Sequence, residues 1–213
     1  MTTYVLIPGM CHGGWCYDDL TRALRERGHR VHALTLTGPG DRARVNLDTH
    51  LADVTTLLAA EDVRDAVLVG HSYGGMVITG AADRAPDRTG ALVYLDAMVP
   101  ADGDSCWNLV TDQERRWYAD VDDTGFGVRP LPFFDPRATP HPVNTLLQPI
   151  RLTRNPDVRR TYVYAAGWDG PSPFTPVYDR LRDDPAWRVH ALAGGHNLMR
   201  DAPDDLLEIL LAA

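Results

Sequence analysis

Apolar residues gather along this chain in short continuous runs rather than in strict alternation. Tyr4–Ile7, Val31–Leu36, Ala66–Val69, Leu92–Leu95, Tyr162–Ala166 and Val189–Leu192 are rich in Val, Leu, Ile and Tyr. Runs of this length without a polar residue at every second position predict strands buried on both faces. Between them the spacing turns helical. Asp18–Arg27 (DDLTRALRER) sets Leu20 and Leu24 four apart, with Gly28 as the stop. Thr49–Glu61 and Gly74–Arg84 predict further helices, and Asp204–Leu211 another near the end. Strand–helix alternation implies an α/β fold: a mainly parallel sheet of about six strands, right-handed crossovers, and helices on both faces.

The stretch from Ala101 to Arg160 breaks that rhythm. It is rich in Pro, contains PLPFFDP, and carries Trp107, Trp117, Tyr118, Phe126, Phe133 and Phe134. Linkers are poor in aromatics, so this content points to a packed element. The expected organisation is a core of 1–100 and 161–213, with 101–160 inserted after the fourth strand as a small cap over the strand C-termini.

Composition narrows the function. With 213 residues, 44% of them hydrophobic, the chain suits one domain carrying an insertion. A net charge of -8 argues against nucleic acid or an anionic membrane as partner. A small-molecule substrate is expected, and a homodimer is an admissible state. The chain has no Lys, which removes Schiff-base and P-loop chemistry. Cys11, Cys16 and Cys106 lack metal-ligand spacing, so no metal site is expected, and they read as reduced thiols. The opening MTTYVLIPG has no basic region and too short an apolar run for a signal peptide, so a cytoplasmic location is expected.

The chemistry concentrates at Gly70-His71-Ser72-Tyr73-Gly74-Gly75, a G-x-S-x-G motif between a strand and an apolar helix. A sharp turn there thrusts a serine hydroxyl outward, small residues relieve the crowding, and the helix N-terminus favours a developing oxyanion. Ser72 is therefore the candidate nucleophile. His196, in Ala193-Gly194-Gly195-His196 just past the last predicted strand, is the candidate base. Among the other histidines, His29 and His32 flank the second strand, His50 and His141 belong to no motif, and His71 is expected to point away from the pocket. Two aspartates could orient the imidazole. Asp96 ends the fourth strand, and Asp169 follows the fifth in the turn-like Trp-Asp-Gly-Pro. The loop Pro8-Gly9-Met10-Cys11-His12-Gly13-Gly14-Trp15 should supply an oxyanion N–H from Met10, beside that of Tyr73. Gly9, His12, Trp107, Trp117 and Phe133 are candidates for the substrate pocket. Cys11 and Cys16 have no paired base and read as packing residues.

GMCHGGW, RGHRVHALTLTG, GHSYGG, LVYLDAMVP and GGHNLM together resemble the plant methylesterase and hydroxynitrile lyase group of the α/β-hydrolase fold and its small bacterial relatives. Asn144–Pro149 (NTLLQP) resembles a cap helix of that group, whereas Ala101–Thr139 shows little likeness. The resemblance implies no cofactor, a pocket between sheet and cap, Ser72 and His196 as catalytic serine and histidine, and Met10 and Tyr73 as oxyanion donors. The lyases carry a Thr in the first loop and a Lys after the histidine, where this chain has Gly9 and Asn197. Without a cation to hold cyanide, ester hydrolysis is expected over cyanohydrin cleavage. The group's aspartate aligns on or beside Trp168, one residue out of register with Asp169. Asp96 matches the position used by some other α/β-hydrolases, haloalkane dehalogenases among them, and is preferred. The expected activity is hydrolysis of a small, largely apolar carboxylic ester or thioester through an acyl-enzyme. The alternatives are a lyase, decarboxylase or cyclase acting on a natural-product-like molecule, and a non-catalytic ligand-binding protein.

Overall fold

The computed structural model describes residues 1–38, 42–154, 157–168, 170 and 172–213. The chain begins with β1 (Thr3–Ile7), α1 (Asp18–Glu26), β2 (Arg30–Ala33), α2 (Leu47–Ala60), β3 (Ala66–His71), α3 (Gly74–Arg84) and β4 (Thr89–Leu95). Shorter pieces follow: α4 (Cys106–Leu109), α5 (Asp112–Tyr118), the paired β5 (Gly127–Val128) and β6 (His141–Pro142), and α6 (Asn144–Leu147). The alternation resumes with β7 (Arg159–Ala165), α7 (Thr175–Leu181) and β8 (Arg188–Leu192), and then α8 (Leu198–Asp201) and α9 (Pro203–Leu211).

Six strands form one parallel sheet in the order β2-β1-β3-β4-β7-β8. All the strand C-termini therefore open on one edge, where ligands meet sheets of this kind. Alternate residues feed opposite faces. Val5, Ile7, Leu68, Leu92, Tyr94 and Tyr162 pack with α2, α3 and residues of 101–160. Tyr4, Leu6, Val67, Val69, Val93 and Val163 pack with Leu20 and Leu24 of α1 and Leu206 and Leu210 of α9. Burial on both faces explains why these strands read as unbroken apolar runs.

The run expected to extend from Val31 to Leu36 stops pairing as β2 at Ala33. Leu34 N–H still reaches Leu6 O, but the Thr35 hydroxyl then accepts from Gly14 N–H and Thr37 O accepts from His50. These local partners draw the backbone out of the ladder. Helix α2 starts two residues earlier than expected, at a capping box between Asn46 and Thr49. No helix among the described residues is long and apolar enough to cross a membrane.

The short elements and loops between β4 and β7 bury Cys106, Tyr118, Val128, Leu146 and Ile150 in the main core, and caps and side-chain bonds fix them further. Ser105 caps α4, and Thr111 and Glu114 form a capping box on α5. Gly103 N–H and Ile150 N–H close the stretch on Ile150 O and Asp104 O. Asp83 of α3 accepts the N–H groups of Thr153 and Arg154, tying the end of the segment to the core.

Candidate active site

Ser72 sits where β3 turns into α3, with φ +55°. Left-handed backbone costs a residue with a β-carbon, so the fold must hold it there. Ser72 N–H donates to Leu95 O, and Ser72 O accepts from Gly75 N–H and Met98 N–H. The turn also needs its glycines. A β-carbon on Gly70 would lie 2.5 Å from Gly74 O, and one on Gly74 would lie 2.6 Å from Ile7 O. Helix α3 points its N-terminus at the same place.

Asp96 and Cys11 are also left-handed, at φ +41° and +64°, each just beyond the end of a central strand. Asp96 is 0% exposed. Its N–H donates to Val163 O, its Oδ1 accepts from Ala165 N–H at 3.2 Å, and its Oδ2 lies 2.7 Å from His196 Nδ1. His196 follows β8, so this contact joins residues 100 apart in sequence. The imidazole stands among rings: Phe174 stacks on it at 5.3 Å, Trp168 lies at 4.6 Å and His71 at 4.4 Å. Burial lowers the His196 imidazole well below its ordinary range, and nearby His12 adds to the effect. Burial raises the Asp96 carboxyl, against the pull of the Ala165 N–H. With Asp96 as the carboxylate, a neutral ring carries its proton on Nδ1, toward Oδ2, and leaves Nε2 as the base.

Ser72 and His196 line the same cleft, about 1590 Å³ in volume, without a direct hydrogen bond between their side chains. Such contacts tighten in substrate complexes. Met10 lines this cleft and Tyr73 directly follows Ser72; neither backbone N–H donates to an acceptor among the described residues. Two free donors beside a serine at a helix N-terminus are suited to an oxyanion.

Of the residues expected in the pocket, Gly9, His12, Trp117 and Phe133 line the cleft. His12 Nδ1–H donates to Met10 O at 2.7 Å, and its ring packs on Trp15 and Phe134. Trp107 does not line it. Its indole packs into the main core, and its carbonyl accepts from Arg115. Its place on short helix α4, pressed against the core, explains the difference. His71 does not point away as expected. The loop carrying His196 folds back over the end of β3, and His71 Nε2–H donates to His196 O at 2.9 Å. Asp169 lies outside the described residues. Phe134, Trp168 and Phe174 also line the cleft and were not foreseen as pocket residues. The aromatic PLPFFDP fragment and the Trp-Asp-Gly-Pro turn were the available signals. Burial pushes the Cys11 and Cys16 thiols up to about 12, which leaves no thiolate nucleophile at neutral pH. Among the described residues, no group of three His, Cys, Asp or Glu side chains could hold a metal ion.

A family model described as "Alpha/beta hydrolase family" matches residues 4–209. A carbendazim hydrolyzing esterase of Nocardioides sp. (strain SG-4G) is 39% identical over 242 aligned positions, covering 100% of this chain and 99% of the relative. Methyl jasmonate esterase 1 of Vitis vinifera is 36% identical over 106 residues, covering 46% of this chain and 40% of that protein. An extracellular alpha/beta-hydrolase from a Paenibacillus species superimposes with a TM-score of 0.84 at 23% identity, over 100% of this chain and 99% of that one.

Proposed function

Because the chain belongs to the alpha/beta hydrolase family, we propose that it cleaves small, largely apolar carboxylic esters or thioesters through an acyl-enzyme on Ser72. The observation that carries this reading is the left-handed Ser72 turn set beside a His196–Asp96 pair 2.7 Å apart. His196 Nε2 takes the serine proton as the hydroxyl oxygen attacks the carbonyl. Asp96 holds the imidazole in the reactive tautomer and stabilises the imidazolium as it forms. The Met10 and Tyr73 N–H groups hold the oxyanion. His196 then returns the proton to the leaving alcohol or thiol, activates a water molecule, and the acyl group leaves as the acid.

Residues 101–160 act as a cap whose Trp117, Phe133 and Phe134 meet the substrate. The relatives named as a carbendazim hydrolyzing esterase and a methyl jasmonate esterase support ester cleavage. The -8 net charge supports an uncharged small-molecule substrate over an anionic polymer. The three free cysteines suit a reducing, cytoplasmic setting.

A fluorophosphonate probe tests the reading. It should label wild type at Ser72, and p-nitrophenyl acetate should show a burst followed by steady turnover. Labelling at another residue, or turnover that survives Ser72→Ala, would remove Ser72 from the mechanism.

A further inference from the structure

The two proposed oxyanion donors sit on stretches of chain held by a pair of buried histidines that no step above uses. His141, the first residue of β6, is 6% exposed. Its Nδ1 accepts the N–H of Cys11 at 3.4 Å, and its Nε2–H donates to the Thr145 hydroxyl at 2.9 Å. That hydroxyl donates in turn to Pro142 O at 2.7 Å. This chain of bonds sets the tautomer, with the proton on Nε2 and a bare acceptor facing Cys11. The carbonyl of Cys11 is also taken, by Thr139 N–H at 3.0 Å. Both polar ends of Cys11 are therefore gripped by residues 139–141. Cys11 is the non-glycine residue at φ +64° that directly follows Met10. Such a conformation persists only where its surroundings over-determine it. If it relaxed, the Met10–Cys11 turn would rotate and re-aim the Met10 N–H in the cleft that Met10 and Ser72 both line.

The other donor is anchored to the same pair. The Tyr73 ring meets His141 edge-on at 4.8 Å, and its hydroxyl donates to His50 Nδ1 at 2.8 Å. His50 Nε2–H donates to Thr37 O at 2.7 Å, and the two imidazoles lie 5.7 Å apart. Burial lowers both rings below their ordinary range, which keeps the acceptor nitrogens unprotonated at neutral pH.

We propose that His141 is a positioning residue for the oxyanion hole: with Thr139 it clamps Cys11 in the turn that aims the Met10 N–H, so the inserted segment takes part in the chemistry and not only in substrate fit. The inference rests on the hydrolase reading above.

The test uses the full-length protein with p-nitrophenyl acetate, too small to depend on the rest of the cleft. His141→Leu should lower kcat by roughly ten- to a hundredfold, short of the hundred- to thousandfold that follows loss of a whole oxyanion donor. KM should stay within about twofold, because the lost interaction acts in the transition state. His141→Asn places an amide oxygen near the lost Nδ1 acceptor and should restore most of the rate. Affinity for a trifluoromethyl ketone, whose serine adduct is an oxyanion, should fall in step with kcat. A folded His141→Leu with kcat within about twofold of wild type overturns the proposal. So does a loss that His141→Asn fails to restore, since that pattern reports packing alone. Should His141→Leu not fold, Thr139→Pro decides. Thr139 is exposed, and the change removes the N–H that holds Cys11 O while fixing φ at 139 and restricting Ala138, so its fold is checked by circular dichroism beside the kinetics. It should cost about three- to tenfold in kcat at constant KM, and an unchanged kcat overturns the clamp. Turnover that survives Ser72→Ala would instead sink the hydrolase reading itself. Turnover abolished by Ser72→Ala but indifferent to both clamp variants would sink only this inference.

Discussion

The two walls of the cleft share a core but differ in how regular their structure is. On the sheet side, Ser72 and Asp96 grow from β3 and β4, central strands with apolar layers on both faces. On the other side, residues 101–160 contribute short helices, a two-residue strand pair and aromatic rings; they too bury apolar side chains in the core, but caps, ion pairs and loop backbone bonds carry more of their fastening. Chemistry needs atoms fixed to a fraction of an ångström, and dense packing supplies that. Substrate choice tolerates a looser wall, and loops over a rigid scaffold supply it. The His141 clamp on Cys11 is the place where the looser wall would reach across into the rigid one.

The largest expected effect lies on the sheet side. Ser72→Ala should lower kcat by up to about a millionfold while leaving thermal unfolding nearly unchanged, because a hydroxyl in an open cleft packs little. Steady-state kinetics beside a melting curve measures both, and a loss within tenfold would break the assignment.

Asp96→Asn comes next. It keeps the side chain's volume but removes the charge that holds the His196 tautomer, and should cost about ten-thousandfold in kcat. Asp169→Asn should cost nearer tenfold, as a turn residue would. The reverse order of severity would move the role to Asp169.

Stability should divide along the same line. Leu68 is fully buried, and Leu68→Ala should destabilise by about 2–5 kcal/mol through lost transfer energy and a cavity. Phe133 is 79% exposed, and Phe133→Ala should stay within about 0.5 kcal/mol of wild type in denaturant unfolding while raising KM. Equal destabilisation by the two would erase the contrast between the walls.

The pH profile is a finer probe. His196 must be neutral to accept the serine proton. Burial lowers it from 6.5, so the neutral base persists to more acid conditions, and the acid limb of kcat/KM should have its midpoint below pH 6.5. Below that midpoint each further pH unit should remove about tenfold of rate. A midpoint above 6.5 would mean that the Asp96 carboxylate outweighs burial.

Much of the sheet was legible because its central strands are buried on both faces. Burial demands continuous apolar runs, and all six main strands overlap theirs. Ser72, Asp96 and His196 were legible as candidates for a related reason, since each falls within a few residues of the end of such a run. What failed was whatever depends on contacts distant in sequence. The orientation of His71 is set by the carbonyl of His196, and the position of Trp107 by the core beneath α4. His50 and His141 carried no motif, because their partners are a hydroxyl and backbone groups on other elements. Helix α7 was missed because its polar, Pro-bearing sequence (TPVYDRL) offers little apolar periodicity.

The base and the nucleophile stand on strands of unequal strength. All six residues of β3 are buried, whereas β8 is an edge strand, paired among the described residues with β7 alone, and three of its five residues are exposed. Edge elements with few buried apolar contacts open locally at a lower free energy than the whole molecule. On heating, β8 should fray first and carry the imidazole out of reach while the serine still stands on an intact strand. Catalysis would then switch off reversibly several degrees before the cooperative loss of circular dichroism. Amide protons of β8 should exchange with solvent long before those of β3. A staple across β7 and β8 would raise the temperature at which the enzyme stops working without moving the temperature at which it unfolds.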